Sequence, residues 1–181
     1  MNLTLLSSQK QHLAELLEAI QRCIYFLDAS SRKLAWPLTD DLLKAHKKDV
    51  VLFEAMAAIN ERFAKLQDTL WAAMRHACIL SGEPADSFLK ILGFYEKAGV
   101  LESVESWQLC RMARNLAAHD YDIDYAEIAE HFNSLKTLTP MLYMTAACFH
   151  KYCKEVLYIE ATRADFTTEF IQIIEAKESG R

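Results

Sequence analysis

Turn-forming residues are scarce in this chain. It has 4 glycines and 3 prolines among 181 residues, whereas 52% of its residues are hydrophobic. Few turns combined with many apolar residues are typical of long helices. The sequence shows no strand-like alternation, no internal repeat and no low-complexity linker. We therefore predict an all-α fold, an up-and-down helical bundle, in a single domain that spans residues 1–181.

An excess of positive charge is also missing. The chain has 20 Lys and Arg residues against 25 Asp and Glu residues, which gives a formal net charge of -5. Proteins that coat nucleic acids need clustered cations to neutralise phosphates, so this balance excludes a general DNA- or RNA-coating protein. The densest basic run, at residues 44–48, is more typical of a solvated helix face than of an RNA track. Any contact with RNA should therefore be local.

Long apolar runs and paired cysteines are absent as well. No window approaches the roughly 18 uncharged apolar residues of a membrane span, and the first nine residues do not resemble a secretory signal. Three ligands from the group Cys148, His150 and Cys153 cannot share one helical face, so we expect no metal site and no cofactor. The odd number of cysteines and the lack of a Cys-x-x-Cys pair predict reduced thiols in a cytoplasmic protein. These cysteines are Cys23, Cys78, Cys110, Cys148 and Cys153.

Apolar residues recur at three- and four-residue steps along most of the chain, which predicts a series of helices. Ser7 or Ser8 should cap the first helix, Thr39 or Asp40 the second, and Asp124 a later one. We expect Pro140 to kink or split the helix that contains it. The predicted helical ranges are 8–29, 40–80 as one helix or a kinked pair, 85–97, 104–118, 125–159 and 165–177.

The helix predicted at 104–118 separates into two faces when its residues are spaced at roughly 100°. The face that we expect to pack into the core comprises Leu109, Cys110, Met112, Ala113, Leu116 and Ala117. The opposite, polar face comprises Gln108, Arg111, Arg114, Asn115 and His119, together with Val104, Trp107 and Ala118. Chemically useful side chains are therefore gathered on one side of this helix.

Arg114 and His119 form a pair suited to RNA cleavage. A histidine with a pKa of about 6.5 can take the proton of the 2'-hydroxyl or protonate the leaving oxygen. An arginine supplies a permanent charge for the negative charge that develops on phosphorus. One such pair offers one acid or base, whereas transesterification needs both. A two-fold dimer would supply the second copy, so the chemistry predicts a homodimer.

The segment Arg114-Asn115-x3-His119-x-Tyr121 resembles the Arg-x4-His-x-Tyr motif of the HEPN superfamily, in the form found in HepT-like toxins. The resemblance implies a HEPN-like helical bundle that dimerises through its motif helices and a metal-independent ribonuclease. It further implies a minimal nucleotidyltransferase as antitoxin partner, which neutralises the toxin by adenylylating the motif tyrosine. By this resemblance Arg114 and His119 are catalytic, Asn115 is supporting, and Tyr121 is the modification site.

Simpler interpretations exist for the same residues. Arg114 can pair with Asp120 or Asp122, and His119 can be a helix-end histidine favoured by the helix dipole. Tyr121 can be a half-buried packing residue. Trp107 is expected to be a core or interface anchor, with stacking on a base as the alternative. For the function as a whole, the alternative hypothesis is a non-catalytic helical partner of a minimal nucleotidyltransferase. A third hypothesis is a structural helical bundle without a functional site.

Overall fold

The computed structural model describes residues 3–83, 85–116 and 124–179. Within these ranges every regular element is helical and no strand occurs. The α-helices are α1 (Leu3–Ser31), α2 (Asp40–Ala45), α3 (Val50–Ser81), α4 (Phe88–Lys97), α5 (Val104–Leu116), α6 (Tyr125–Tyr152) and α7 (Thr167–Glu178), with a π-helical turn at Cys153–Leu157. The prediction of an all-α fold is confirmed.

Long amphipathic helices build one continuous apolar core. Helices α1 and α3 pack along each other, α6 packs against α3, α5 and α2, and α7 lies on α1 and α6. The α1 contribution follows the three- and four-residue spacing of its sequence and is fully buried: Leu13, Leu17, Ile20, Ile24 and Leu27. Burial of an apolar side chain of this size contributes about 1.5–3 kcal/mol, so this stripe is a major source of stability.

The range predicted as one helix or a kinked pair, 40–80, is two helices. The side chain of Thr39 caps α2 by accepting from the Leu42 N–H, as predicted, and Asp49 caps α3 by accepting from the Leu52 N–H. The N-cap at Asp49 begins a second helix within this range, so α2 is only six residues long. The prediction that Ser7 or Ser8 caps the first helix is wrong, because α1 already includes both residues.

Two further boundaries follow from local backbone chemistry. Asp124 caps α6, as predicted, by accepting from the Ala126 N–H at 2.9 Å. Pro140 lies inside α6 and does not split it, whereas the helix loosens into the π-helical turn after Tyr152. That turn ends at Tyr158, whose φ of 55° is left-handed, and the Ile159 N–H closes it by donating to the Cys153 carbonyl at 3.0 Å.

The last helix is tied to the first by polar contacts as well as by apolar packing. The Thr167 hydroxyl donates to Gln21, and Lys177 lies 3.5 Å from the buried carboxylate of Asp28. Phe170, on the inner face of α7, packs against the imidazole of His150 with ring centroids 4.8 Å apart. The predicted amphipathic helix at 165–177 is therefore confirmed, and its apolar face lies on α1 and α6.

The structure also bears on the membrane and cysteine predictions. In the described part of the chain, no helix is long and apolar enough to cross a bilayer. All five cysteines are free, as the sequence predicted. Burial raises the pKa of Cys110 and that of Cys153 to about 12, so both thiols are protonated packing groups at neutral pH.

Candidate functional site at the end of helix α5

Helix α5 is rotated relative to the orientation that the sequence predicted. Trp107, Cys110 and Ala113 are buried, whereas Leu109 and Met112 are 54% and 62% exposed. The predicted core positions of Leu109 and Met112 are therefore wrong, and so is a stacking role for the buried Trp107. An indole buries more apolar area than a leucine or methionine side chain, so the orientation that buries Trp107 is favoured.

Helix α3 fixes this orientation through a buried amide. The Gln67 side chain is 3% exposed, and its Nε2 donates to the Trp107 carbonyl at 3.3 Å. Buried polar groups are stabilised by a partner, and the bond from the Gln67 amide nitrogen to this carbonyl ties α5 to α3, whereas Oε1 of Gln67 has no partner among the described residues. On its other side α5 packs on α6, where the Cys110 thiol faces the Leu138 carbonyl.

Arg114 is held by an ion pair with a residue far away in the sequence. Its Nη1 lies 2.7 Å from Oδ1 of Asp68 on α3. The Arg114 side chain is 33% exposed and that of Asp68 is 51% exposed, so the pair is open to solvent and to ligands. This contact engages one nitrogen of a guanidinium that carries five N–H donors. A guanidinium that is held through one nitrogen can still donate to an anion from its other nitrogens.

The structure describes part of the predicted motif. Arg114 and Asn115 lie in the last turn of α5, and Asn115 is exposed. His119 and Tyr121 lie outside the described residues, as do Asp120 and Asp122, the acids that the sequence offered as alternative partners of Arg114. The geometry of the Arg114 and His119 pair therefore stays a prediction. Asp68 is a contact that sequence reasoning missed, because nothing in the local pattern of α3 distinguishes it from a solvated acid.

A second arginine of α5 lies beside this ion pair. The guanidinium of Arg111 lies over the ring of Phe88, 4.9 Å from its centroid, and the Phe88 ring packs against Trp71 at 4.6 Å. Arg111 and Arg114 are three residues apart, as are Trp71 and Asp68 on α3. Residues at this spacing are neighbours on a helix surface. The two arginines therefore face one surface formed by α3, α4 and α5, which we call the arginine surface.

A groove on the other side of α5 has the opposite character. It encloses about 620 Å³ between the start of α2, Leu109 of α5 and the first turns of α6. Its described lining includes the carboxylates of Asp40 and Glu130 and no Lys or Arg side chain. Asp40 is itself paired with Lys44 at 2.6 Å, and the described lining offers no cation to an anionic ligand, so of these two surfaces the arginine surface is the better suited to an anion. In the described residues, no cluster of three or more His, Cys, Asp or Glu side chains could hold a metal ion.

Comparisons with known proteins add no relative. The chain matches no protein-family model, no curated protein and no solved structure.

Proposed function

We propose that this chain is a metal-independent endoribonuclease of the HepT-like type that cleaves single-stranded RNA by transesterification. The observation that carries the proposal is the placement of Arg114, the first residue of the Arg-x4-His-x-Tyr segment. Its guanidinium is anchored by Asp68 at 2.7 Å and is still partly open to solvent. An arginine that is both oriented and accessible is suited to binding a phosphodiester.

In the proposed reaction the 2'-oxygen of the RNA attacks the adjacent phosphorus and the 5'-oxygen leaves. One His119 takes the 2'-hydroxyl proton as general base, and the His119 of a second copy protonates the leaving oxygen as general acid. Arg114 neutralises the negative charge that develops on the phosphoryl oxygens, and Asn115 supports it. The products are a 2',3'-cyclic phosphate and a free 5'-hydroxyl, and no bond is made to the protein.

The exposed apolar residues of α5 support the homodimer that this mechanism requires. Leu109 and Met112 lie three residues apart on one helix face and are both more than half exposed. Two large apolar side chains together on one helix face favour a contact with another protein surface. A two-fold contact across this face would pair two α5 helices, and the motif segment follows directly on each of them in the sequence.

Light scattering tests the dimer directly. Met112→Glu places a charge on the proposed contact, so we expect the dimer to dissociate into monomers. Val51→Glu changes an equally apolar residue, 69% exposed at the start of α3, and serves as the matched control that should leave the dimer intact. A wild-type protein that is monomeric at high concentration would contradict the proposed dimer.

The cleavage assay uses purified protein, a fluorescent single-stranded RNA and excess EDTA. We expect the wild type to cut the RNA and to leave 2',3'-cyclic phosphate ends, and we expect His119→Ala and Arg114→Ala to lose at least about a hundredfold in rate. His46→Ala removes an exposed histidine that is far from α5 in sequence, and this variant should keep full activity. Wild-type protein without EDTA-resistant cleavage, or a His119→Ala variant that cuts normally, would refute the proposal.

The exposed face of α5 also favours the second candidate function, that of a helical partner of a minimal nucleotidyltransferase. In that case the partner transfers AMP from ATP to the Tyr121 hydroxyl oxygen and releases pyrophosphate. Co-expression with such an enzyme followed by peptide mass spectrometry would detect AMP on Tyr121. AMP on Tyr121 in a protein that does not cleave RNA before modification would favour the partner function over the ribonuclease.

A further inference from the structure

The contacts of Arg111 have no role in the mechanism proposed above. Its guanidinium lies over the Phe88 ring, and Phe88 packs against Trp71 with the two rings tilted by 48°. The three side chains therefore form a tilted stack that runs from α5 through α4 to α3. Arg111 is exposed at the outer end of the stack, while Phe88 and Trp71 are half-buried. The two half-buried rings therefore hold the long, flexible side chain of Arg111 in place.

This support leaves the binding capacity of Arg111 intact. A ring beneath a guanidinium attracts its positive charge and does not take the place of the oxygen atoms to which its N–H groups donate. In the described part of the chain, no carboxylate forms an ion pair with Arg111, in contrast to the pairing of Arg114 with Asp68. Arg111 therefore presents a full positive charge and a planar donor edge at the surface.

The position of Arg111 relative to Arg114 suggests what it binds. Residues three apart on a helix have Cβ atoms about 5–6 Å apart, and long flexible arginine side chains can separate further. Successive phosphates of a nucleic acid strand are spaced by a similar distance, so two arginines one turn apart can contact neighbouring phosphates of one strand. The acidic groove on the other side of α5 does not offer such a path.

We propose that Arg111, placed over the Phe88 ring, is a second phosphate-binding residue that contacts the RNA phosphate next to the one bound by Arg114. The identity of the ligand as RNA rests on the proposed function, but the inference concerns binding and not cleavage. Phe88 is then a positioning residue, because it orients the guanidinium and does not itself contact the phosphate.

The experiment measures binding of a fluorescent single-stranded 2'-O-methyl RNA, which has no free 2'-hydroxyl and cannot be cleaved by transesterification. The dissociation constant is measured for each protein over a range of salt concentrations. For single strands, each phosphate contact contributes about 0.7 to the slope of log affinity against log salt. The slope therefore counts phosphate contacts separately from other effects on affinity.

We expect Arg111→Ala to weaken binding by about tenfold and to reduce the salt slope by about 0.7. Arg111→Lys should keep the slope, since the charge remains, but should bind more weakly because an ammonium lacks the planar fork. Phe88→Leu should also weaken binding without a change in slope. Arg163→Ala removes an exposed arginine from the segment before α7 and should match the wild type in both quantities.

The outcomes separate this inference from the proposed function. If Arg111→Ala keeps the wild-type slope and affinity, or if Arg163→Ala has the same effect as Arg111→Ala, Arg111 is not a specific phosphate contact. If the wild type does not bind the RNA, both proposals are overturned. If binding depends on Arg111 while unmodified RNA is not cleaved, the inference stands and the ribonuclease proposal fails. Circular dichroism of each variant verifies that its helices are intact.

Discussion

The ion pair between Asp68 and Arg114 gives the sharpest test of how this site is organised. Asp68→Ala removes the carboxylate that orients the guanidinium, and Asp68→Asn removes its charge but keeps an oxygen that can accept a hydrogen bond. Arg114 itself is unchanged in both variants. If Asp68 is a positioning residue, RNA cleavage should decrease in the order wild type, Asp68→Asn, Asp68→Ala.

The exposure of the two side chains sets the expected change in stability, and the role of Arg114 sets the expected change in cleavage rate. The two side chains are 33% and 51% exposed, and exposed ion pairs contribute about 0.2–1 kcal/mol to stability. For a chain of this length, 1 kcal/mol shifts the melting temperature by about 2–4 °C, so Asp68→Ala should lower it by no more than this. Loss of a transition-state donor such as Arg114 costs about a hundred- to a thousandfold in rate. Loss of its orientation alone should cost about tenfold, mainly in kcat.

A double-mutant cycle verifies that the two residues act together. The variant with both Asp68→Ala and Arg114→Ala should be no less active than Arg114→Ala alone, since Asp68 then has nothing left to orient. The assay is cleavage of single-stranded RNA in EDTA with kcat and KM measured separately. As a control, Glu160→Ala removes the carboxylate of an exposed ion pair with Lys154 and should leave both constants unchanged.

Two results would refute this reasoning. An Asp68→Ala variant that binds RNA more tightly and cuts it faster would mean that the carboxylate competes with the phosphate for Arg114. A melting temperature lowered by more than about 5 °C would mean that the pair supports the fold to an extent that its exposure does not explain.

Three further predictions concern the fold. Trp107→Ala should lower the free energy of unfolding, measured in urea, by about 3–5 kcal/mol, whereas Met112→Ala should lower it by less than about 0.5 kcal/mol. Equal losses in the two variants would contradict the orientation of α5. Tyr158→Gly should raise stability by about 0.5–1 kcal/mol, because an 87% exposed tyrosine there holds a left-handed φ of 55°, and a loss of stability would disprove this. Burial lowers the pKa of His150, so its neutral form is favoured in the folded chain; stability should be full above about pH 6.5 and decrease as the pH falls below it. His150→Gln should flatten this decrease between about pH 7.5 and 5.5, and an unchanged pH profile would assign the effect to other groups.

The helices themselves were largely predictable from the sequence, because their causes are local. Apolar spacing along α1 and the capping residues Thr39 and Asp124 act within one or two turns, and all three predictions agree with the structure. The sequence left open whether residues 40–80 form one helix or a kinked pair, and the position of the break between α2 and α3 was not predicted, although Asp49 has the chemistry of an N-cap. Its signal was weak because the apolar pattern continues on both sides of the break.

The orientation of α5 could not be predicted by counting apolar positions. Both arcs of this helix contain apolar residues, and the choice between them depends on which arc finds a matching surface. The surface is supplied by α3, where Gln67 needs a partner and the Trp107 carbonyl provides one. Such a pairing joins residues that are distant in sequence, so a single sequence without its fold does not reveal it.

The same long-range contacts explain why the candidate site lies where it does. Gln67 and Asp68 are consecutive residues of α3, and they contact Trp107 and Arg114, which are about two turns apart on α5. Long helical side chains lean toward the N-terminus of their helix, so we expect the Arg114 side chain to extend toward the turn that contains Arg111. The hydrogen bond between Gln67 and Trp107 and the ion pair between Asp68 and Arg114 therefore both belong to the packing of α5 on α3. A change in the packing of α5 on α3 would therefore move both arginines together, and the buried amide of Gln67 helps to position the arginine surface.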